Sequence, residues 1–305
     1  MIRIRKSAFA VLAGFVLVAA AACSSGGATT APAAGGTGAP AANQNDPNSI
    51  LTSVINGGSD IKSFHIKIAV SGTIKAAALQ AAMADSGSSG SGIQITSDAK
   101  LDGTAIEGDV DVANSAAHLT ANVPALQMLG NIPITGDVIV VSNTLYYKVS
   151  LLGAKYTKMD LGSLTSGLPV SIPSILPSPG ASAMTGITDQ VNQLRTQMEA
   201  AGVKVTLVGV DKIGGQDANH INVSVPIDKL NAEIAAQSSG APSATIDSAS
   251  VDFWVYKSNN MLAQVEVKGA SSSFGNVDFM ITVTNYDQPV TISAPAAADI
   301  APAGS

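Results

Sequence analysis

Ser63 to Ser71 reads S-F-H-I-K-I-A-V-S, and its alternation decides the fold. Phe64, Ile66, Ile68 and Val70 fall on one face of an extended chain, with His65, Lys67 and Ser71 on the other. A period of two belongs to a strand with one buried and one wet face. The pattern continues through Ile93, Ile95 and Leu101, turns at Asp102 and Gly103, and returns with Ile106, Val110 and Val112, as a two-residue hairpin requires. Similar alternation predicts strands over 119–123, 132–141, 145–149, 203–210, 219–225, 250–256, 262–268, 274–284 and 290–292. Turn signals at Ser142-Asn143, Gly214-Gly215 and Asn259-Asn260 separate neighbours.

Helical spacing occurs in three places. Asp46 and Pro47 make a cap and first-turn pair ahead of Ile50, Leu51, Val54 and Ile55, and Asn56-Gly57-Gly58 stops the run. Ile187, Val191, Leu194 and Met198 share one face before Gly202, and Ile227, Leu230 and Ile234 follow Pro226. The class is therefore α+β: a single large curved antiparallel sheet of about ten or eleven strands, with about three helices covering its apolar concave face.

The chain has 305 residues, 16 basic and 22 acidic, one cysteine and 4% aromatics, which excludes a disulfide scaffold and a basic nucleic-acid binder. Only 12% of residues are charged, and mean hydropathy is +0.30. After residue 22 no apolar run approaches the ~18 residues of a spanning helix, so this hydrophobicity belongs to short segments buried in a fold. Residues 1–22 read as a signal peptide: Arg3, Arg5 and Lys6, then the uncharged apolar stretch Ala8 to Ala22. Ala20-Ala21-Ala22-Cys23 looks like a lipobox, with Ala20 where Leu is usual, and Cys23 is the expected lipidation site. An ordinary secretory cleavage near the same small residues is the other reading.

Removing the signal takes three cations with it and leaves 13 basic against 22 acidic residues, net −9. Net charge therefore does not draw the chain to anionic headgroups. Residues 23–45 form a Gly/Ala/Thr/Pro-rich flexible tether, residues 46–295 one folded domain, and 296–305 an Ala/Pro-rich disordered tail.

Catalytic groups are scarce. His65, His118 and His220 all fall on predicted strands without metal-ligand spacing. Ser59 to Lys62 and Ser97 to Lys100 fit S-x-x-K but lack the accompanying motifs. Glu107, Asp109 and Asp111 share a strand face without a calcium-loop glycine, and the run Ser86 to Gly92 lacks a phosphate-loop lysine. No enzyme activity, cofactor or metal is expected. The core positions are Val, Ile and Ala with few aromatics, which leaves open a dry, hydrocarbon-accepting void or a fully packed core. Leu161 to Leu176, broken by Pro169 and Pro173, is either a lid or a packed connection, and Ala76 to Met83 is a second candidate rim.

Several segments in order, Lys62-Ser63-Phe64-His65, Asp137 to Lys148 (D-V-I-V-V-S-N-T-L-Y-Y-K), Ile213 to Val223 (I-G-G-Q-D-A-N-H-I-N-V) and Val251 to Val267 with Phe253, Trp254, Leu262 and Gln264, resemble the mycobacterial LppX/LprA/LprF/LprG lipoprotein family. The likeness spans nearly the whole folded region, and the insertion from Ala76 to Gly92 departs from it. It implies a half-open, LolA/LolB-like β-barrel whose helices enclose a cavity for acyl chains of envelope lipids or glycolipids. The expected cavity wall is Ile66, Ile68, Val70, Leu119, Val123, Val141, Tyr147, Leu207, Val223, Phe253, Val265 and Ile281, with Val191, Leu194 and Met198 from a helix. The function so read is a monomeric lipid carrier, lipid-anchored on the outer side of the cell membrane. Its partners are an acylated lipid or glycolipid, the membrane through its anchor, and an envelope lipid transporter. The alternatives are a surface adhesion module without a cavity and a cell-wall hydrolase.

Overall fold

A computed structural model of the chain describes residues 45–58, 61–85, 95–126, 132–161, 202–237 and 245–302. Helix α1 (Pro47–Gly57) opens the domain. Both carboxylate oxygens of Asp46 accept first-turn N–H groups, from Asn48 and Ser49 at 3.2 Å, and Pro47 needs no partner there. Strand β1 (Ser63–Ile74) follows, then α2 (Ala76–Asp85) and the short β2 (Ala99–Lys100). A meander comes next: β3 (Thr104–Asp111), β4 (Ala116–Leu126), β5 (Ile132–Val141), β6 (Thr144–Val149) and β7 (Thr157–Asp160). The second meander is β8 (Lys204–Ile213), β9 (Gln216–Ser224), helix α3 (Ile227–Gln237), β10 (Ser248–Tyr256), β11 (Leu262–Ser271) and β12 (Gly275–Thr284).

All twelve strands form one sheet in the order β7-β6-β5-β4-β3-β1-β12-β11-β10-β9-β8, with β2 beside β1. β1 joins the meanders, pairing antiparallel with β3 on one side and β12 on the other. β7 and β8 are the two edges, so the sheet is open. Eleven strands at about 4.8 Å spacing span roughly 50 Å.

Bending is written into backbone contacts that tolerate no side chain. Gly72 and Gly275 lie near the same end of the β1–β12 pair with φ of +113° and +108°. A Cβ on Gly108 would lie 1.9 Å from the His118 carbonyl oxygen across the β3–β4 ladder.

Four expectations need correction. Ala76 to Met83, a candidate rim outside the three expected helices, lies within α2, a run of good helix formers whose first turn hangs on the Lys75 carbonyl, which accepts N–H groups of Ala78 and Leu79. Ile95 does not extend a long strand; the β2 ladder is confined to Ala99 and Lys100, beside Ile74 and Thr73, and Ile93 lies outside the described residues. Val290 to Ile292 is not a strand, because Asn285 and Asp287, at φ +53° and +58°, turn the chain out of the sheet after Thr284.

The fourth is the tail, expected to be disordered from 296. The Asp287 N–H donates to the Ser63 carbonyl at 2.9 Å, and the Asp287 carboxylate accepts from Lys62 N–H at 2.8 Å. The chain then crosses to the β6–β7 connection, where Tyr156 N–H donates to the Asp299 carbonyl and Ala301 N–H to the Tyr156 carbonyl, both at 2.8 Å. Ile300 bridges Tyr156 in parallel. Low complexity left these backbone groups free to pair, and the β6–β7 connection supplied the partners. The expected helix over 187–198 and the segment 162–176 lie outside the described residues.

Candidate functional site

Register divides the sheet into two faces of opposite character, because residues directly paired across an antiparallel ladder share a face. Ile68 pairs with Ile281 and Ile106, Ile281 with Val265, and Val265 with Phe253. Phe253 pairs with Ile221, and Ile221 with Leu207. In the other direction Gly108 pairs with Leu119, Leu119 with Val138, and Val138 with Tyr147. An apolar row therefore runs across both meanders.

The two halves of this face are buried to different degrees. Over β8–β10, α1 lays Ile50 on Ile221 and Val255, all three fully buried, with Leu51, Val54, Val205, Leu207 and Phe253 around them. Val223, Val251, Val265 and Val267 extend this packing, and Phe64, Ile281 and Val283 continue it under Ile61. On β3–β6 the same face is only partly covered. Ile106 is 38% exposed, and Leu119, Ala121, Val123, Ile134, Val138, Leu145, Tyr147 and Val149 are half-buried. Thr104, at the start of β3 on this face, holds a buried hydroxyl without a hydrogen-bond partner.

Of the expected wall residues, Ile66, Ile68, Val70, Leu119, Val123, Tyr147, Leu207, Val223, Phe253, Val265 and Ile281 stand on the apolar face. Val141 does not. It pairs with Thr144 on the opposite face, and Val140, paired with Ala117 and Leu145, takes the apolar position. The run V-I-V-V is apolar at every position, so alternation alone could not fix its phase. Val191, Leu194 and Met198 lie outside the described residues, as does Cys23. Sequence reasoning omitted Ile106, Val138 and Leu145 from the wall, although each obeys the same period of two.

The opposite face is polar and self-paired. His65 Nδ1 meets Asp109 at 2.8 Å, Lys67 meets Glu107 at 3.3 Å, and His118 Nε2 meets Asp137 at 3.1 Å. His220 lies between Asp211 (3.1 Å) and Asp252 (3.0 Å) and stacks on Trp254 with ring centroids 4.4 Å apart. Trp254 in turn donates its indole N–H to Asp211 at 2.8 Å. Asp111 accepts from the backbone and side chain of Asn114. The acidic row Glu107, Asp109 and Asp111 is thus engaged in cross-strand pairs and a turn. Among the described residues no group of three or more His, Cys, Asp or Glu could hold a metal ion.

A groove of about 870 Å³ opens on this polar side, lined by Lys67, Glu107, Thr120, Asp137 and Lys148 with the loop residues Gly153 and Ala154. It is charged, unlike the apolar cavity that the resemblance implies. Beside it, burial and then Asp137 raise the Tyr156 phenol above its usual range. On β12, burial first and Glu266 second raise the Asp278 carboxyl, one of whose oxygens is buried without a partner. Among the described residues no helix is long and apolar enough to cross a membrane.

No protein-family model matches the chain, and no curated protein matches it. Among solved structures it is similar to the lipoprotein LppX of Mycobacterium tuberculosis, at 14% identity and a TM-score of 0.40 over 81% of this chain and 98% of that one. It is similar to LprF from Mycobacterium bovis at 16% identity and a TM-score of 0.41, over 82% and 97%. A weaker likeness is to the Pseudomonas aeruginosa MucA/MucB complex, at 10% identity and a TM-score of 0.28, over 83% of this chain and 59% of that one. Two of the four lipoproteins that the sequence resembles, LppX and LprF, are thus among the solved structures to which this chain is similar.

Proposed function

We propose that the chain is an exported, lipid-anchored carrier that shelters the acyl chains of an envelope lipid or glycolipid on the β3–β6 half of its apolar face, without catalysis. One observation carries this reading: the apolar face is closed over β9–β10 by α1 and left half-covered over β3–β6, with Ile106 38% exposed. Holding one ~16-carbon chain in water costs about 12 kcal/mol at ~0.8 kcal/mol per CH₂, whereas moving it from a bilayer to a dry apolar surface costs little. A carrier therefore needs shelter and reversible loading, and an apolar sheet face with partial cover supplies both. The buried, unpartnered Thr104 hydroxyl offers a hydrogen bond to a polar group at the end of that face.

Anchoring at Cys23 would confine the domain to the membrane surface, at the end of the tether that ends at residue 45. Labelling with a fatty acid that is lost in Cys23→Ala supports the anchor, and equal labelling of the variant refutes it. The carrier reading is tested by native mass spectrometry of residues 24–305 after purification from a lipid-rich host. Co-purifying acylated lipid supports it. A chain that stays ligand-free even when lipid is added favours an interaction module without a cavity.

A further inference from the structure

We propose that the β6–β7 connection is a membrane-docking tip that seats the domain on an anionic lipid surface. Leu151 and Leu152 follow directly on β6 and are 55% and 77% exposed. Leu152 is the most exposed large hydrophobic residue among the described residues, and a pair of adjacent exposed leucines at a loop tip points to a partner.

The loop is built to hold them out. Leu152 N–H and Gly153 N–H both donate to the Val149 carbonyl, at 2.9 and 3.2 Å. Ser150 is tied to Thr135 twice, its N–H to the Thr135 carbonyl at 2.9 Å and its hydroxyl oxygen accepting Thr135 N–H at 3.0 Å. Gly153, at φ +137°, reverses the chain, and the tail clamps Tyr156 behind it. A loop fixed this way gives up little further conformational freedom on binding.

Charge selects the occupant. From 138 to 159 the chain has three lysines and no acidic residue, in a protein of net charge −6. Lys148 lies over the Tyr156 ring at 4.5 Å from its centroid, while Lys155 and Lys158 are exposed. Of the facing acids, Asp137 meets His118 and Asp160 has a partner of its own, while exposed Asp299, held to Tyr156 through its backbone carbonyl, offsets one of the three lysines. Exposed leucines beside exposed lysines match the acyl boundary and the headgroups of an anionic bilayer, and each lysine near such a surface contributes about fivefold in partition. The tip follows Val149, on the apolar face opposite Gly136, which in turn pairs with Ala121, so docking would bring the half-covered β3–β6 surface close to the lipid it would take up. The docking itself does not require that uptake.

The test uses the full chain carrying Cys23→Ala, so that the label has one site, with Leu152→Cys carrying the fluorophore NBD. A Ser258→Cys label in the β10–β11 turn, at the other end of the strands, is the control. Vesicles of phosphatidylcholine are compared with vesicles containing phosphatidylglycerol. The expected result is a blue-shifted, several-fold brighter emission at residue 152 on the anionic vesicles only, with no change at residue 258. Adding Lys155→Glu and Lys158→Glu, both exposed and outside the fold's packing, is expected to cut the inserted fraction more than tenfold. Emission at 152 that is unchanged, or that rises equally on neutral vesicles, overturns the proposal. Lipid co-purification measured on the same preparations separates the two readings, since a chain that carries lipid with a dry-land tip refutes the docking alone.

Discussion

Truncating one isoleucine at each end of the apolar face is expected to give unequal costs. Ile221 is fully buried among Ile50, Val255, Leu207 and Phe253. Ile221→Ala loses about 0.8 kcal/mol for each carbon removed plus a cavity term, because three of its neighbours stand on strands and cannot collapse inward, for a total of about 4 kcal/mol. Ile106 lies on the same face, two strands from Ile281, but keeps 38% of its surface in water. Ile106→Ala leaves no sealed cavity and forfeits only part of the transfer energy, about 1 kcal/mol. Urea unfolding of residues 24–305, stripped of lipid by organic extraction and refolded, measures both from the shift in midpoint at constant slope. A loss of about 4 kcal/mol at both positions would mean that β3–β6 is packed as tightly as β9–β10, and the division of the face on which the carrier reading rests would be wrong.

Three further outcomes follow from particular contacts. Gly108→Ala places a methyl where the His118 carbonyl stands, at 1.9 Å, so the β3–β4 ladder must open locally; a loss of about 3 kcal/mol is expected by the same urea assay. Asp278→Asn tests the raised carboxyl: folding penalises its anion, the penalty is full above the raised pKa and is gone only below the ordinary carboxylate value, so the variant is expected to melt higher than wild type at pH 7 and no higher at pH 3. Ending the chain at residue 295 removes two backbone hydrogen bonds to Tyr156 and the contact of Ile300, about 2 kcal/mol together, and should lower the melting temperature by about 4–8 °C in calorimetry.

Much of the sheet was legible because its strands alternate cleanly. Phe64 to Val70 sets His65 and Lys67 on its second face, and Val251 to Val255 sets Asp252 there, so their phase follows from chemistry alone. Phase was lost where both faces are apolar, as at Val138 to Val141, since Ile139 is itself buried on the polar side. There the cross-strand partners decide, and partners are a tertiary fact. Helix α2 was missed because Ala76 to Asp85 has almost no amphipathic pattern to read; its helicity comes from alanine propensity. The docked tail was missed for a related reason: its attachment uses backbone groups, which leave no trace in side-chain identity. The apolar wall was foreseen as one continuous surface, and its division into closed and half-covered parts was not, because that depends on where α1 lies along the sheet.

The central claim is that acyl chains bind on the β3–β6 half of the apolar face, and photo-crosslinking tests it most directly. A diazirine-bearing fatty acid is loaded onto residues 24–305, irradiated, and the adducts are mapped by peptide mass spectrometry. The account predicts adducts on Ile106, Leu119, Val123, Val138 or Tyr147. Adducts confined to the polar groove around Lys67 and Lys148, or none above the level seen with unfolded chain, would contradict it.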